Sequence, residues 1–153
     1  MAMKHLTVYT DGGCFGNPGP GGWAFIISGG PVRVVEYGAE TDTTNNRMEL
    51  TAVISGLRKI LNEYGRGINV SLHTDSLYVQ KGITSWINNW KINGWKTAGK
   101  KQVKNKDLWI ILDDLNSSMK INWYWVKGHG DDVQNNECDM LVKKAINELI
   151  SGE

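Results

Sequence analysis

The sequence contains little of what would indicate a secreted, disulfide-stabilised or membrane-spanning chain. Among its 153 residues there are only two cysteines and three prolines. Two isolated cysteines, Cys14 and Cys138, exclude a disulfide framework and a zinc knuckle. No run of about 18 apolar residues would make a membrane-spanning helix. The first residues lack the apolar core of a secretory signal, so we expect a cytoplasmic chain.

What is present is typical of one globular domain. Hydrophobic residues make up 41% of the chain and charged residues 22%, which is close to the average for soluble domains. A chain of this length buries roughly two thirds of its unfolded surface, so it needs no covalent or metal staple to fold. There are no internal repeats and no low-complexity linker. We predict a single domain over residues 1–153.

The charge is distributed unevenly, although the formal net charge is only +1. The 26 residues from Lys81 to Lys106, here called the lysine-rich segment, contain seven lysines and no acid, whereas the other 127 residues contain 10 basic and 16 acidic groups. The segment also contains Trp86, Trp90 and Trp95. Lysines interleaved with aromatic rings favour nucleic-acid binding. The alternative is a solvated helix whose tryptophans pack inward, and both interpretations can hold together.

The periodicity of the hydrophobic residues predicts one mixed α/β domain with the order βββαβ…αβα. The first strand is expected to end at Thr10, because Asp11-Gly12-Gly13 reads as a turn. The predicted strands are 6–10, 23–27, 32–37, 70–74 and 121–126, and the predicted helices are 46–64, 108–115 and one from about residue 136, with short helical pieces in the lysine-rich segment.

Four carboxylates stand next to predicted element ends, and each has a structural explanation. Asp11 is in a turn-forming position, and Glu49 follows Asn46 by three residues, as in a capping box. Asp75 is placed as a helix N-cap. Asp139 is placed in the first turn of the last helix, where an acid suits the helix dipole.

Topology provides a functional explanation for two of these acids. If the first and fourth strands are parallel neighbours, Asp11 and Asp75 emerge about 5 Å apart at the same edge of the sheet. Like charges at that distance raise one another's pKa unless a cation neutralises them. Ligation by oxygen alone favours magnesium or manganese over zinc. Spacing alone does not show whether Glu49 and Asp139 join them.

The motifs that contain these acids resemble those of the type 1 ribonuclease H family, which includes the bacterial ribonucleases HI. The resemblance runs over essentially the whole chain and rests on five motifs in the same order. They are YTDGGC at 9–14 with GNPG at 16–19, TTNNRMEL at 43–50, TDS at 74–76, WYWVKGH at 123–129 and NNECD at 135–139.

The resemblance implies the ribonuclease H fold, a five-stranded mixed sheet with its first three strands antiparallel and with flanking α-helices. It also implies an endonuclease that hydrolyses the RNA strand of RNA–DNA hybrids and leaves 5′-phosphate and 3′-hydroxyl ends. Asp11, Glu49, Asp75 and Asp139 would hold two Mg²⁺ ions, with Mn²⁺ as a substitute. His129 would assist proton transfer or product release.

The resemblance further implies contacts to both strands of the hybrid. Those to the RNA strand would involve Glu49 and the residues Gly12, Gly13, Cys14 and Asn45. Those to the DNA strand would involve Asn17, Thr44 and Asn46. The lysine-rich segment would be the basic protrusion of the family, with Trp86 on a deoxyribose and with Trp90, Lys91, Lys96, Lys100 and Lys101 as further contacts.

Three departures from the family pattern bear on affinity and leave the reaction class unchanged. Leu77 replaces a usual glutamine, Ile92 and Asn93 replace more basic residues, and Asn136 replaces a usual glutamate.

The rival interpretation is a hybrid-binding module without catalysis, which loss of a carboxylate would favour. A transposase or integrase core would need a further DNA-binding domain. We expect a monomer without an obligate protein partner.

Overall fold

The computed structural model describes residues 5–128, 130 and 132–152. The strands are β1 (His5–Cys14), β2 (Gly19–Ser28), β3 (Val34–Thr43), β4 (Asn69–Thr74) and β5 (Lys120–Trp125). The helices are α1 (Asn45–Tyr64), α2 (Leu77–Lys81), α3 (Ile87–Ile92), α4 (Lys106–Ser118) and α5 (Val133–Ser151), with a π-helical turn at Gly82–Trp86 between α2 and α3. None of the helices in these ranges is long and apolar enough to cross a membrane.

The five strands form one mixed sheet in the order β3-β2-β1-β4-β5. β1 pairs with β2, and β2 with β3, in antiparallel fashion. β4 is parallel to both β1 and β5. The predicted fold, with its first three strands antiparallel, is therefore confirmed.

Helices cover the two faces of the sheet unequally. On one face, α1 and α4 bury the larger core, in which Val53, Leu57 and Ile60 of α1 are almost inaccessible to solvent. On the other face, α5 packs Val142 and Ile146 against β2. The alternation of side chains along each strand supplies both cores, because neighbouring residues point to opposite faces.

The boundaries of most elements differ from the sequence prediction, and β2, for example, begins at Gly19 rather than at residue 23. The expected end of the first strand at Thr10 is wrong, since pairing with β2 continues from Asp11 to Cys14. The third strand begins at Val34 and leaves Val32 67% exposed. The last helix begins at Val133 rather than near residue 136. Strand pairing and helix capping, rather than the apolar pattern alone, set these boundaries.

The cap of α1 is not the one expected from the sequence. The hydroxyl of Thr44 accepts a hydrogen bond from the backbone N–H of Arg47 at 3.2 Å, which makes Thr44 the N-cap. The expected capping box between Asn46 and Glu49 is therefore wrong. Glu49 lies beyond the first turn of α1, and it is buried rather than engaged at the helix end.

The structural explanations for Asp75 and Asp139 are also wrong. Ser76 caps α2 by accepting a hydrogen bond from the N–H of Val79 at 3.1 Å. Asp132 caps α5, so Asp139 lies in the second turn of that helix. Because neighbouring residues perform the capping, neither carboxylate is needed for it.

The lysine-rich segment joins the core through a close contact between Gly82 and Trp109. Trp109 is fully buried, and its ring lies so close to Gly82 that a β-carbon there would overlap it. Gly82 begins the π-helical turn between α2 and α3. The absence of a side chain therefore allows the backbone of this turn to lie directly on the core.

Replacement of Gly82 by alanine is expected to lower the free energy of unfolding, because the added methyl group cannot fit without moving Trp109. Overpacking of this kind costs about 1–3 kcal/mol, and urea denaturation would measure it. The matched control is Gly99→Ala, since a β-carbon at exposed Gly99 meets nothing nearer than 3.9 Å. Equal stability of the two variants would contradict the packing argument.

Candidate active site

Parallel pairing of β1 with β4 places two acids side by side. Thr10 and Thr74 are the last residue pair of this ladder. Asp11 and Asp75 follow them directly and therefore reach the same edge of the sheet. This edge lies at the carboxyl ends of parallel strands, where open α/β sheets bind their ligands.

Glu49 reaches the same place from α1 because Gly12 has no side chain. A β-carbon on Gly12 would overlap the backbone of Met48 and Glu49. The backbones of β1 and α1 therefore come closer here than any larger residue would permit. Glu49 is 6% exposed and Asp11 is 5% exposed.

The three acids form a compact group that could hold a metal ion. One carboxylate oxygen from each of Asp11, Glu49 and Asp75 lies within 4.8 Å of the other two. Oε1 of Glu49 and Oδ1 of Asp75 are buried and have no hydrogen-bond partner among the described residues. Buried carboxylate oxygens without a donor are expensive unless a cation pairs with them. The arrangement fits a hard divalent cation, which prefers oxygen ligands.

Burial and mutual repulsion perturb the protonation of this group. Burial raises the pKa of Asp11 to about 8, and the charges of Asp75 and Asp139 add to the effect. Burial also raises the pKa of Glu49, to which Asp11 and Asp75 contribute, while the backbone N–H of Gly12 partly offsets the shift. The site therefore binds protons more readily than ordinary carboxylates, and bound cations would compete with these protons.

Asp139 lies at the rim of the same site. It lines a cavity of about 300 Å³ together with Asp11, Glu49 and Asp75. Asp139 does not belong to the three acids whose oxygens lie within 4.8 Å of one another. Its Oδ2 forms an ion pair with Nζ of Lys143 at 3.1 Å. The structure thus brings three of the four predicted acids into direct proximity and places the fourth beside them.

Sequence reasoning missed Lys143 as a residue of this cavity. Lys143 follows Asp139 by four residues, the spacing at which two helical side chains meet on one face. That spacing within the last helix is the signal that could have found it. Lys143 is the single cation that lines the cavity within the described part of the chain.

The residues expected on the RNA side surround the acids. Gly12, Gly13, Cys14 and Asn45 all line the cavity. Those expected on the DNA side lie around the start of α1. Asn17 accepts a hydrogen bond from the N–H of Asn45 at 3.1 Å, and Asn46 is exposed beside the capping residue Thr44.

The tryptophans and lysines of the lysine-rich segment divide into anchored and exposed groups. Trp90 and Trp95 pack against the larger core, as the inward-packing alternative expects, whereas Trp86 is 39% exposed. Lys91 forms an ion pair with Asp113 at 3.1 Å. The exposed lysines without an assigned partner in the described residues include Lys96, Lys100 and Lys101.

His129 lies outside the described residues, and its role stays a prediction.

The fold and the acidic group together define an α/β protein with a group of acids at the edge of a mixed sheet that could hold a metal ion. The family model described as RNase H matches residues 3–147. A ribonuclease H of Wolbachia sp. subsp. Drosophila simulans (strain wRi) is 56% identical over 146 residues, which cover 95% of this chain and 98% of the relative. The chain belongs to the ribonuclease H family and is an endoribonuclease of the hydrolase class.

Two solved structures are similar to it. LC9-RNase H1, a type 1 RNase H with the type 2 active-site motif, has a TM-score of 0.83 and 32% identity, and the match covers 96% of this chain and 74% of that chain. LC11-RNase H1 in complex with RNA/DNA hybrid has a TM-score of 0.72 and 21% identity, and the match covers 95% of this chain and 99% of that chain. At that identity, LC11-RNase H1 shows a shared fold.

Replacing Asp11 by asparagine is expected to raise the melting temperature in EDTA, because the change relieves repulsion in the acidic group. The carboxyl binds its proton more tightly in the folded chain, with a pKa of about 8 against 3.8. Its contribution to stability is therefore fully present below about pH 4 and is lost as pH rises through about 8. The gain in the variant should accordingly be small at pH 4 and grow toward pH 8.

Thermal melts across this pH range, with Mg²⁺ and with EDTA, check the expectation. Ligand binding to the folded state stabilises it by mass action, so Mg²⁺ should stabilise the wild type more than the variant. Asp114→Asn, at an exposed position of α4, is the control for loss of one negative charge. A pH-independent gain equal to that of the control would contradict the assigned repulsion.

Proposed function

We propose that this protein hydrolyses the RNA strand of RNA–DNA hybrids by a two-metal-ion reaction, leaving 5′-phosphate and 3′-hydroxyl ends. The observation that supports the proposal most directly is the compact group of Asp11, Glu49 and Asp75 in a ribonuclease H chain. Loss of one of these acids would favour the rival binding module without catalysis, and all of them are present. Their common location favours the enzyme.

Asp11, Glu49, Asp75 and Asp139 would hold two Mg²⁺ ions, with Mn²⁺ as a substitute. When bound, such ions activate a water molecule and neutralise charge on the leaving oxygen. The carboxylates would supply the negative charge that retains the ions. None of the acids needs to attack the substrate, so the proposed reaction proceeds without a covalent enzyme intermediate.

The hybrid would lie across the acidic edge and the lysine-rich segment. Gly12, Gly13 and Asn45 would contact the RNA strand close to the acids, where 2′-hydroxyls distinguish RNA from DNA. The DNA strand would run along the start of α1 toward Trp86. The structure of LC11-RNase H1 with RNA/DNA hybrid supports this assignment of the partner. Action as a monomer and in the cytoplasm stays a prediction.

The decisive experiment is incubation with an end-labelled RNA–DNA hybrid, with Mg²⁺ and with EDTA, beside matched RNA and DNA duplexes. We expect magnesium-dependent cleavage of the RNA strand in the hybrid alone, with products whose ends can be ligated as 5′-phosphate and 3′-hydroxyl. Asp11→Asn should abolish cleavage while retaining hybrid binding, because it removes the most central negative charge of the site. Substantial turnover by this variant would overturn the metal assignment.

Replacement of Lys96, Lys100 and Lys101 by alanine is expected to raise KM while leaving kcat nearly unchanged, because these side chains lie outside the acidic group. For every phosphate that is no longer neutralised, the log–log salt slope should fall by about 0.9. Titration of cleavage against salt concentration measures this slope. Trp86→Ala should weaken binding with the slope preserved, since stacking releases no counterions.

A control variant can match the triple replacement in charge. Arg58, Arg66 and Lys120 are exposed, and Arg66 and Lys120 lie near the edge of the sheet opposite Asp11. Their replacement by alanine removes the same net charge away from the proposed binding surface. If this control flattens the salt slope as much as the lysine variant does, the lysine-rich segment is not the substrate contact.

A further inference from the structure

Arg47 connects the start of α1 with the start of α4. Its two terminal nitrogens donate to the two carboxylate oxygens of Asp107, at 3.0 and 2.8 Å. Such paired, parallel hydrogen bonds fix direction as well as distance. Arg47 lies one turn from the N-cap of α1, and Asp107 lies in the first turn of α4. The two helix ends are therefore held together at one point.

The same guanidinium contacts the residue at which the lysine-rich segment returns to the core. Arg47 also donates to Oδ1 of Asn105 at 3.3 Å. Asn105 has a left-handed backbone, with φ of 61°, and its side-chain amide donates to the hydroxyl of Tyr78 at 3.1 Å. The amide oxygen and the amide nitrogen of Asn105 are thus both hydrogen-bonded, and these two bonds fix the direction in which the segment enters α4.

Tyr78 extends this connection to the other end of the segment. Its hydroxyl also accepts a hydrogen bond from the indole of Trp109 at 3.0 Å. Its ring lies 6.1 Å from that of Trp86, in an edge-to-face arrangement. Trp86 in turn lies 6.0 Å from Trp90. A continuous set of contacts therefore runs from Arg47 to the exposed tryptophan of the segment.

We propose that Arg47 and Asp107 form a positioning pair, which sets the placement of the lysine-rich segment relative to the start of α1 and thereby sets hybrid affinity. The inference rests on the proposed function, in which both regions contact the DNA strand. Two surfaces that must contact one strand bind best when their separation is fixed beforehand, because less order is lost on binding. Neither side chain needs to touch the substrate.

The proposal makes a prediction that opposes simple electrostatics. Asp107→Asn removes a negative charge beside a surface that binds a polyanion, and charge alone would raise affinity. The positioning role predicts the reverse, because the neutral side chain no longer holds the guanidinium on both oxygens. We expect KM to rise about threefold or more, the scale of one surface ion pair, with kcat unchanged within about twofold.

Four further variants separate the alternatives. Asp114→Asn removes the same charge from an exposed position on the same helix, and it should leave KM unchanged or lower it. Arg47→Met should raise KM like Asp107→Asn, and the double variant should show no further increase. Arg47→Lys keeps the positive charge but loses the paired hydrogen bonds of the guanidinium, and it should give an intermediate KM. Additive effects of Arg47→Met and Asp107→Asn, or an unchanged KM in Asp107→Asn, would overturn the proposal.

Hydrogen exchange in the free protein gives an independent measurement. The backbone N–H of Thr97 and that of Val103 are bonded within the segment, to Lys101 and Trp95 respectively. Asp107→Asn should speed exchange of these amides and leave the β1–β2 ladder unaffected. If the wild type neither binds nor cleaves hybrid, the proposed function fails, and exchange alone then decides: faster exchange supports the positioning role, and unchanged exchange overturns it.

Discussion

The parallel pairing of β1 with β4 is the constraint on which the active site depends. This ladder ends with Thr10 beside Thr74, so the next residue of each strand brings a carboxylate to the same edge. Any other register would separate Asp11 from Asp75 or turn one of them to the opposite face, because side chains alternate along a strand. The helix α1 connects the antiparallel part of the sheet to β4, and it brings Glu49 to this edge.

The close approach of three acids opposes folding, and the surrounding structure compensates for it. Gly12 allows the backbone of α1 to contact β1, and the buried faces of α1 and the sheet supply the apolar contacts that hold it there. The acids remain perturbed, as the raised pKa of Asp11 shows. Such a site loses stability without metal and gains the capacity to bind it, as functional sites commonly do.

Binding and chemistry are assigned to different parts of the chain. The acids lie together at the edge of the sheet, whereas the positive charge is concentrated in the lysine-rich segment. The aromatic side chains of the segment attach it to the core, and this explains why Trp90 and Trp95 pack inward while Trp86 remains partly exposed. The inward-packing interpretation is therefore confirmed for Trp90 and Trp95, whereas nucleic-acid binding by the segment stays a proposal.

The sequence by itself determined the α/β order, the apolar stripe of α1, the unequal charge and the identity of the candidate acids, because periodicity and composition are local properties. Tertiary structure decided that β1 continues through Asp11, that Thr44 and Ser76 provide the caps, and that Asp139 lies at the rim with Lys143. It also decided the contact of Arg47 with Asp107, which are 60 residues apart in sequence. Contacts of this kind depend on how distant elements pack, and no local pattern encodes them.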